Sequence, residues 1–127
     1  MTARRILVVE DNPKNLKLVR DVLQYSGYEV VEATTGEDGV RMAREVEPDL
    51  ILMDLQLPGI DGTEALRRIR AGASTRSVPV VAVTAFVMAD DRSNAFASGF
   101  DGYVEKPISV RGLAQQVQDF LTLGGVP

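Results

Sequence analysis

The sequence contains no cysteine and no histidine. Without cysteine there is no disulfide frame, no zinc–thiolate site and no thiol nucleophile. Without histidine the Ser-His-Asp triad and the commonest general base are excluded. Long hydrophobic runs are missing as well: no stretch approaches the roughly 20 apolar residues that a membrane helix needs. The N-terminal Met1-Thr2-Ala3-Arg4-Arg5 runs straight into an apolar segment and lacks the longer apolar core and cleavage site of a signal peptide. A cytoplasmic location with no membrane partner is expected. The net charge is −4 and no dense basic stretch occurs, which argues against nucleic-acid binding by this chain itself. Any chemistry must run on carboxylates, hydroxyls, lysine or a metal.

Against these absences stand ordinary proportions. The chain has 127 residues, 45% of them hydrophobic and 25% charged, which fits one soluble domain with one core. Its apolar residues gather in short runs, and reactive side chains follow them. Ile6-Leu7-Val8-Val9 is followed by Glu10-Asp11, Leu50-Ile51-Leu52-Met53 by Asp54, and Val80-Val81-Ala82-Val83 by Thr84. A shorter apolar stretch precedes Lys106-Pro107. Continuous runs of this kind read as strands buried on both faces.

Helical patterns alternate with these strands from end to end. Strand one is expected at about Arg4–Glu10. Asn12 then serves as N-cap and Pro13 as first helical residue, with Leu16, Val19 and Leu23 forming an apolar stripe and Gly27 ending the helix. Strand two is expected at Tyr28–Ala33. Thr35 and Asp38 open helix two in the manner of a capping box, and Val40, Ala43 and Val46 face inward. Strand three is Asp49–Asp54, and Asp61 with Glu64 opens helix three, whose inward residues include Leu66 and Ile69. Strand four is Val78–Thr84, with Pro79 tolerable only near its start. Helix four is expected at about Ala89–Ser98, stopped by Gly99. Strand five is Gly102–Val104. Helix five starts near Ser109 and buries Leu113, Val117, Phe120 and Leu121.

Five β–α units in strict alternation imply an α/β fold, a doubly wound parallel sheet with helices on both faces. Strands one, three and four are continuously apolar and belong in the centre. Strand two carries Glu29 and Glu32 and strand five is short, so both read as edges. The simplest arrangement is the order 2-1-3-4-5. That order brings Glu10, Asp11, Asp54 and Thr84 to the carboxyl end of the sheet, where ligands of open α/β sheets bind, and Lys106 reaches in from the side.

Three carboxylates in one cleft repel one another and titrate together. A divalent cation relieves this, and Mg²⁺ takes oxygen ligands, keeps several waters and often pairs one or two carboxylates with phosphate oxygens. Three carboxylates contribute −3, while Mg²⁺ and Lys106 supply +3. A threonine hydroxyl and a lysine ammonium suit phosphoryl oxygens, and an aspartate can accept a phosphoryl group as an acyl phosphate. Each residue alone has a plainer reading: Glu10-Asp11 as loop polarity beside a helix N-terminus, Asp54 as a turn former, Thr84 as a β-branched strand residue, Lys106 as a solvated surface cation. Their meeting at one sheet end outweighs those readings.

The chain resembles a two-component response-regulator receiver domain over essentially its whole length. The residues that carry the resemblance are Val8-Val9-Glu10-Asp11-Asn12, the segment from Leu52-Met53-Asp54 through Pro58-Gly59-Ile60-Asp61-Gly62, Val83-Thr84-Ala85 and Lys106-Pro107. Asn12, Asn15 and Glu105-Lys106-Pro107-Ile108-Ser109 are most similar to single-domain cell-polarity or cell-cycle regulators and to hybrid-kinase receivers. The resemblance implies that Asp54 is the phosphoacceptor, and that Glu10, Asp11, Asp54 and the backbone carbonyl of Gln56 hold Mg²⁺. It further implies that Lys106 and Thr84 contact the phosphoryl group, that Ala85 leaves room for it, and that Tyr103 is an aromatic switch residue. A half-buried edge-strand tyrosine is the plainer reading of Tyr103. A cis bond at Pro107 would aim Lys106 at the site. Gln56 and Phe86, each two residues past a site residue, would tune hydrolysis.

The implied function is a phosphorylation-activated signalling switch that modifies only itself and is otherwise no enzyme. The phosphoryl donor must be a sensor histidine kinase or a histidine phosphotransfer protein, since this chain has no histidine. Its output would be altered binding of a downstream effector by the surface of helix four, strand five and helix five. The domain is expected to span residues 1–124, with 125–127 as a tail. With no output domain following, the chain reads as a single-domain regulator or an excised receiver. Three rivals fare worse. A flavodoxin-like nucleotide or flavin binder needs a phosphate-cradling loop after strand one, where this chain has acidic, glycine-free Glu10-Asp11-Asn12-Pro13. A Mg²⁺-dependent phosphohydrolase usually has a second aspartate where Gln56 stands. A passive module has no use for the intact acid pair, Asp54, Thr84 and Lys106.

Overall fold

In a computed structural model that describes residues 3–85 and 97–124, the apolar runs form strands. The elements are β1 (Arg5–Val9), α1 (Pro13–Tyr25), β2 (Glu29–Ala33), α2 (Gly36–Val46), β3 (Leu50–Asp54), α3 (Gly62–Ala71), β4 (Val80–Thr84), β5 (Gly102–Glu105) and α4 (Leu113–Gly124). All strand pairs are parallel and the order is β2-β1-β3-β4-β5, as the apolar and polar runs predict. The helix expected at Ala89–Ser98 and Phe86 fall almost wholly or entirely outside the described residues. Among the described residues no helix is long and apolar enough to cross a membrane.

Alternation along the strands divides the core in two. On one face Leu7, Val9, Ile51, Met53, Val80 and Ala82 pack with Val40 and Ala43 of α2 and Leu66 and Ile69 of α3. On the other, Ile6, Val8, Leu50, Leu52, Val81 and Val83 pack with Val19 and Leu23 of α1 and Leu113, Val117 and Leu121 of α4. Every residue of β3 is buried, which makes it the centre of the sheet and Asp54 its last, buried residue.

The caps form as the sequence predicts. The Asn12 side chain accepts from the amides of Lys14 and Asn15, Thr35 Oγ1 from Asp38 N, and an Asp61 carboxylate oxygen from Glu64 N. Gly27 leaves α1 at φ +94°, where a side chain would be strained. The last helix starts later than expected, at Leu113. A turn occupies residues 109–112: Gly112 N donates to Ser109 Oγ at 3.0 Å, and the helical bond from Leu113 N to Ser109 O follows. β4 starts after Pro79, whose ring lacks a donor; its carbonyl still accepts from Ile51 N at 2.9 Å.

Candidate functional site

Three chain segments meet at the carboxyl end of the sheet. Asp54 shares the strand parity of Leu50 and Leu52, so it points toward the α1/α4 side. Glu10 leaves β1 beside it, anchored by its own amide donating to Ala33 O at 3.0 Å. Asp11 follows on the exposed surface. One carboxylate oxygen from each of Glu10, Asp11 and Asp54 lies within 4.8 Å of the others. Lys106 enters after β5, with its backbone amide donating to Thr84 O at 2.9 Å and its bond to Pro107 cis.

Asp54 is 4% exposed and Glu10 3%, so both carboxylates have lost nearly all their water. Lys106 Nζ lies 3.0 Å from Asp54 Oδ2 and 3.2 Å from Glu10 Oε1. The other Asp54 oxygen, Oδ1, accepts from Gln56 N at 3.0 Å, and Glu10 Oε2 accepts from Asn12 N at 3.3 Å. Beneath the acids the wall is apolar, with Val19, Leu52, Val83 and Val104 lining a small cavity.

Burial pushes the Glu10 carboxyl up to about 7, and the neighbouring Asp54 adds to the rise against the opposing effect of Lys106. Burial pulls Lys106 down, but its bonds to Asp54 and then Glu10 outweigh this and hold it above the ordinary lysine value. The site therefore carries more carboxylate than one ammonium neutralises. Its donors are hard oxygens in a cluster of suitable size, a set that fits a small divalent cation such as Mg²⁺.

The remaining residues singled out in the sequence stand around this cluster. Thr84 ends β4, half-buried, and exposed Ala85 follows it. Gln56 is exposed two residues past Asp54. Tyr103 is half-buried on the opposite face, packed against the α2/α3 cluster; it pairs in register with Ala82 of β4. Thr84 shares the parity of Ala82, so Thr84 and Tyr103 lie on one face of neighbouring strands, with Thr84 at the sheet end one residue past the Asp54–Val83 pair. Two contacts had no place in the sequence reading. Lys106 bridges Glu10 as well as Asp54, and the Gln56 amide holds Asp54. The second had a signal, since aspartate side chains commonly bond the backbone two residues on. The first had one only in the sheet order, which brings Lys106 to the acids without choosing which of them it bonds.

The family model described as the response regulator receiver domain matches residues 6–118. The polar-differentiation response regulator DivK of Brucella ovis is 40% identical over 118 residues, covering 93% of this chain and 96% of that protein. Among solved structures, the receiver domain of the sensor histidine kinase PA1611 from Pseudomonas aeruginosa, with a magnesium ion coordinated in its active-site cleft, is 37% identical. It matches with a TM-score of 0.87 over 95% of this chain and 99% of its own. The chemotaxis response regulator CheY4 of Vibrio cholerae is 25% identical, with a TM-score of 0.89 over 94% of this chain and 99% of its own.

Proposed function

The chain belongs to the response regulator receiver domain family, and from that premise we propose that Asp54 is the residue on which it accepts a phosphoryl group. Receiver domains of two-component systems are signalling switches rather than conventional enzymes; they are phosphorylated on aspartate with Mg²⁺ and interact with histidine kinases and downstream effectors. The observation that carries the assignment to Asp54 is its setting. It is the buried carboxylate at the end of the central strand, with one oxygen fixed by the Gln56 amide and the other facing the Lys106 ammonium.

Glu10, Asp11 and Asp54, with the backbone carbonyl of Gln56, would hold Mg²⁺. The ion supplies positive charge for the phosphoryl oxygens. The chain's own residues do the rest. An Asp54 carboxylate oxygen forms the new O–P bond while the P–N bond of a partner's phosphohistidine breaks, and the electron pair stays on the departing imidazole nitrogen. Lys106, already within bonding distance of Asp54, moves its ammonium from carboxylate to phosphoryl oxygen. The Thr84 hydroxyl donates to another phosphoryl oxygen, and the small side chain of Ala85 leaves it room. In this way the domain promotes its own phosphorylation by positioning and charge.

Phosphorylation replaces one negative charge by about −1.5 to −2 and adds acceptor oxygens. Thr84 and Lys106 gain contacts that exist only in that state. Thr84 shares a face with Tyr103, so its movement reaches the aromatic ring, and Pro107 fixes the strand end from which Lys106 projects. The output is a changed surface formed by the helix expected at Ala89–Ser98, β5 and α4. Residues 1–124 act as one receiver unit. The donor is a sensor histidine kinase or histidine phosphotransfer protein in the cytoplasm, and the output is an effector protein rather than nucleic acid or membrane.

Intact mass after incubation with acetyl phosphate tests this reading: wild type should gain about 80 Da in Mg²⁺ and Asp54→Asn should not. A gain of the same size in Asp54→Asn overturns the assignment.

A further inference from the structure

The loop between β3 and α3, residues 55–61, carries Gln56 and closes behind Asp54. It is pinned at its base and at its tip. At the base Gly62 N donates to Leu55 O at 3.1 Å, and a Cβ on Gly62 would lie 2.6 Å from the carbonyl oxygen of Asp54. At the tip the loop seats on the first turn of α2. A Cβ on Gly36 would lie 2.6 Å from Ile60 Cγ1 and 2.6 Å from the Ile60 carbonyl oxygen. One residue along, Gly59 at φ +76° faces the Glu37 carboxylate, whose oxygens would lie 2.6 Å from a Cβ there.

Gly36 is buried and Ile60 half-buried. The obstacle at Gly36 is backbone as well as side chain, so a methyl group there must displace the loop itself. The same short loop supplies the Gln56 amide that holds Asp54 Oδ1 at 3.0 Å. α2 adds no carboxylate to the acid cluster, yet it sets the far side of the loop that shapes it.

We propose that Gly36 and Ile60 are positioning residues, and that the seat of loop 55–61 on α2 sets Asp54 and the Gln56 backbone in the geometry that binds Mg²⁺. This rests on the reading of Asp54 and the Gln56 carbonyl as metal ligands. Groups that orient metal ligands without touching the metal commonly govern affinity strongly. Ile60 would act through its fit against Gly36, and Gly36 through the absence of a side chain.

Calorimetric titration with Mg²⁺ alone, on wild type and four variants, tests the proposal. Gly36→Ala should weaken Mg²⁺ binding about tenfold or more, and Ile60→Ala should shift it less in the same direction. In metal-free protein the Gln56 amide should exchange faster in Gly36→Ala than in wild type. Gly72→Ala is the control for general damage: its Cβ would lie 2.5 Å from Thr75 Oγ1 at the opposite end of α3. It should lower the melting temperature while leaving Mg²⁺ affinity within about twofold of wild type. If Gly36→Ala and Ile60→Ala both bind Mg²⁺ as wild type does, or if Gly72→Ala weakens binding as much as they do, the seat has no positioning role. Should Asp54→Asn bind Mg²⁺ as tightly as wild type, the metal-ligand reading falls, and the proposal with it. Ile60→Ala only shortens a half-buried side chain, so it decides the question even if Gly36→Ala does not fold.

Discussion

With its ammonium 3.0 Å from Asp54 and 3.2 Å from Glu10, Lys106 offsets part of the repulsion between two carboxylates that are almost wholly removed from water. Removing it leaves that pair without its cation, a change that is strongly destabilising when no proton can compensate. Here Glu10 can take up a proton, which softens the loss. Lys106→Ala should therefore cost metal-free protein about 1–3 kcal/mol, measured by denaturant unfolding in EDTA, and Mg²⁺ should restore more stability to the variant than it adds to wild type. Equal stability of the two metal-free proteins would show that the bridge contributes nothing. Glu10 itself has a pH signature. Its folded value of about 7 lies above the ordinary 4.5, so the folded state binds the extra proton. Its contribution to stability is complete below 4.5 and is lost as pH rises through about 7. Unfolding midpoints in EDTA should fall across that interval in wild type, and Glu10→Gln should flatten the slope; an unchanged slope would place the titration elsewhere. The acids were legible in the sequence because each closes an apolar run. Which acids Lys106 bonds was not, since the sheet order brings it to the cluster without choosing its partners.

Elements were legible to the extent that local chemistry defines them. Asn12, Thr35 and Asp61 cap the helices they were expected to cap, because capping is decided within four residues. The start of α4 was displaced from Ser109 to Leu113 because a serine can close a turn as readily as it caps a helix. What pattern could not reveal is how closely elements approach. Gly102 reads in the sequence as the plain first residue of a short strand. In the fold, a Cβ there would overlap the Phe120 ring, so this side chain of α4 lies directly against the backbone of β5. Gly102→Ala must tilt that ring or move the helix, and should cost about 1–3 kcal/mol by denaturant unfolding. A loss much smaller than this would mean that Phe120 yields freely. α2 approaches the β3–α3 loop in the same manner at Gly36, with consequences for the site rather than for stability alone.

The sheet order was legible from two features: continuous apolar runs at β1, β3 and β4, and the polar or short character of β2 and β5. Order in turn decided which strand ends converge, so the acid cluster followed from topology before any side chain was placed. The long-range ties beneath it did not. Arg70 of α3 bonds Asp101 at 2.7 Å, and the same carboxylate oxygen accepts from Val80 N at 2.8 Å, clamping the entries to β4 and β5. Neither residue belongs to a local pattern that would announce the pair. In the folded molecule Tyr103 packs against the α2/α3 cluster, while the alternation along β3 puts Asp54 with Leu50 and Leu52 on the other face. A phosphoryl group on Asp54, as proposed, would reach Tyr103 across the sheet end by way of Lys106 and Thr84, which are joined by a backbone hydrogen bond.

Everything in that route depends on Asp54 being the residue that carries the phosphoryl group. The most direct measurement is to treat the protein with acetyl phosphate and Mg²⁺, reduce the product with borohydride, and sequence the peptides by mass spectrometry. Borohydride converts an aspartyl phosphate to homoserine and leaves free carboxylates intact. The account predicts homoserine at position 54 alone, and none when EDTA replaces Mg²⁺. Homoserine at position 11 or 61 instead, or the same yield at 54 without metal, would contradict it.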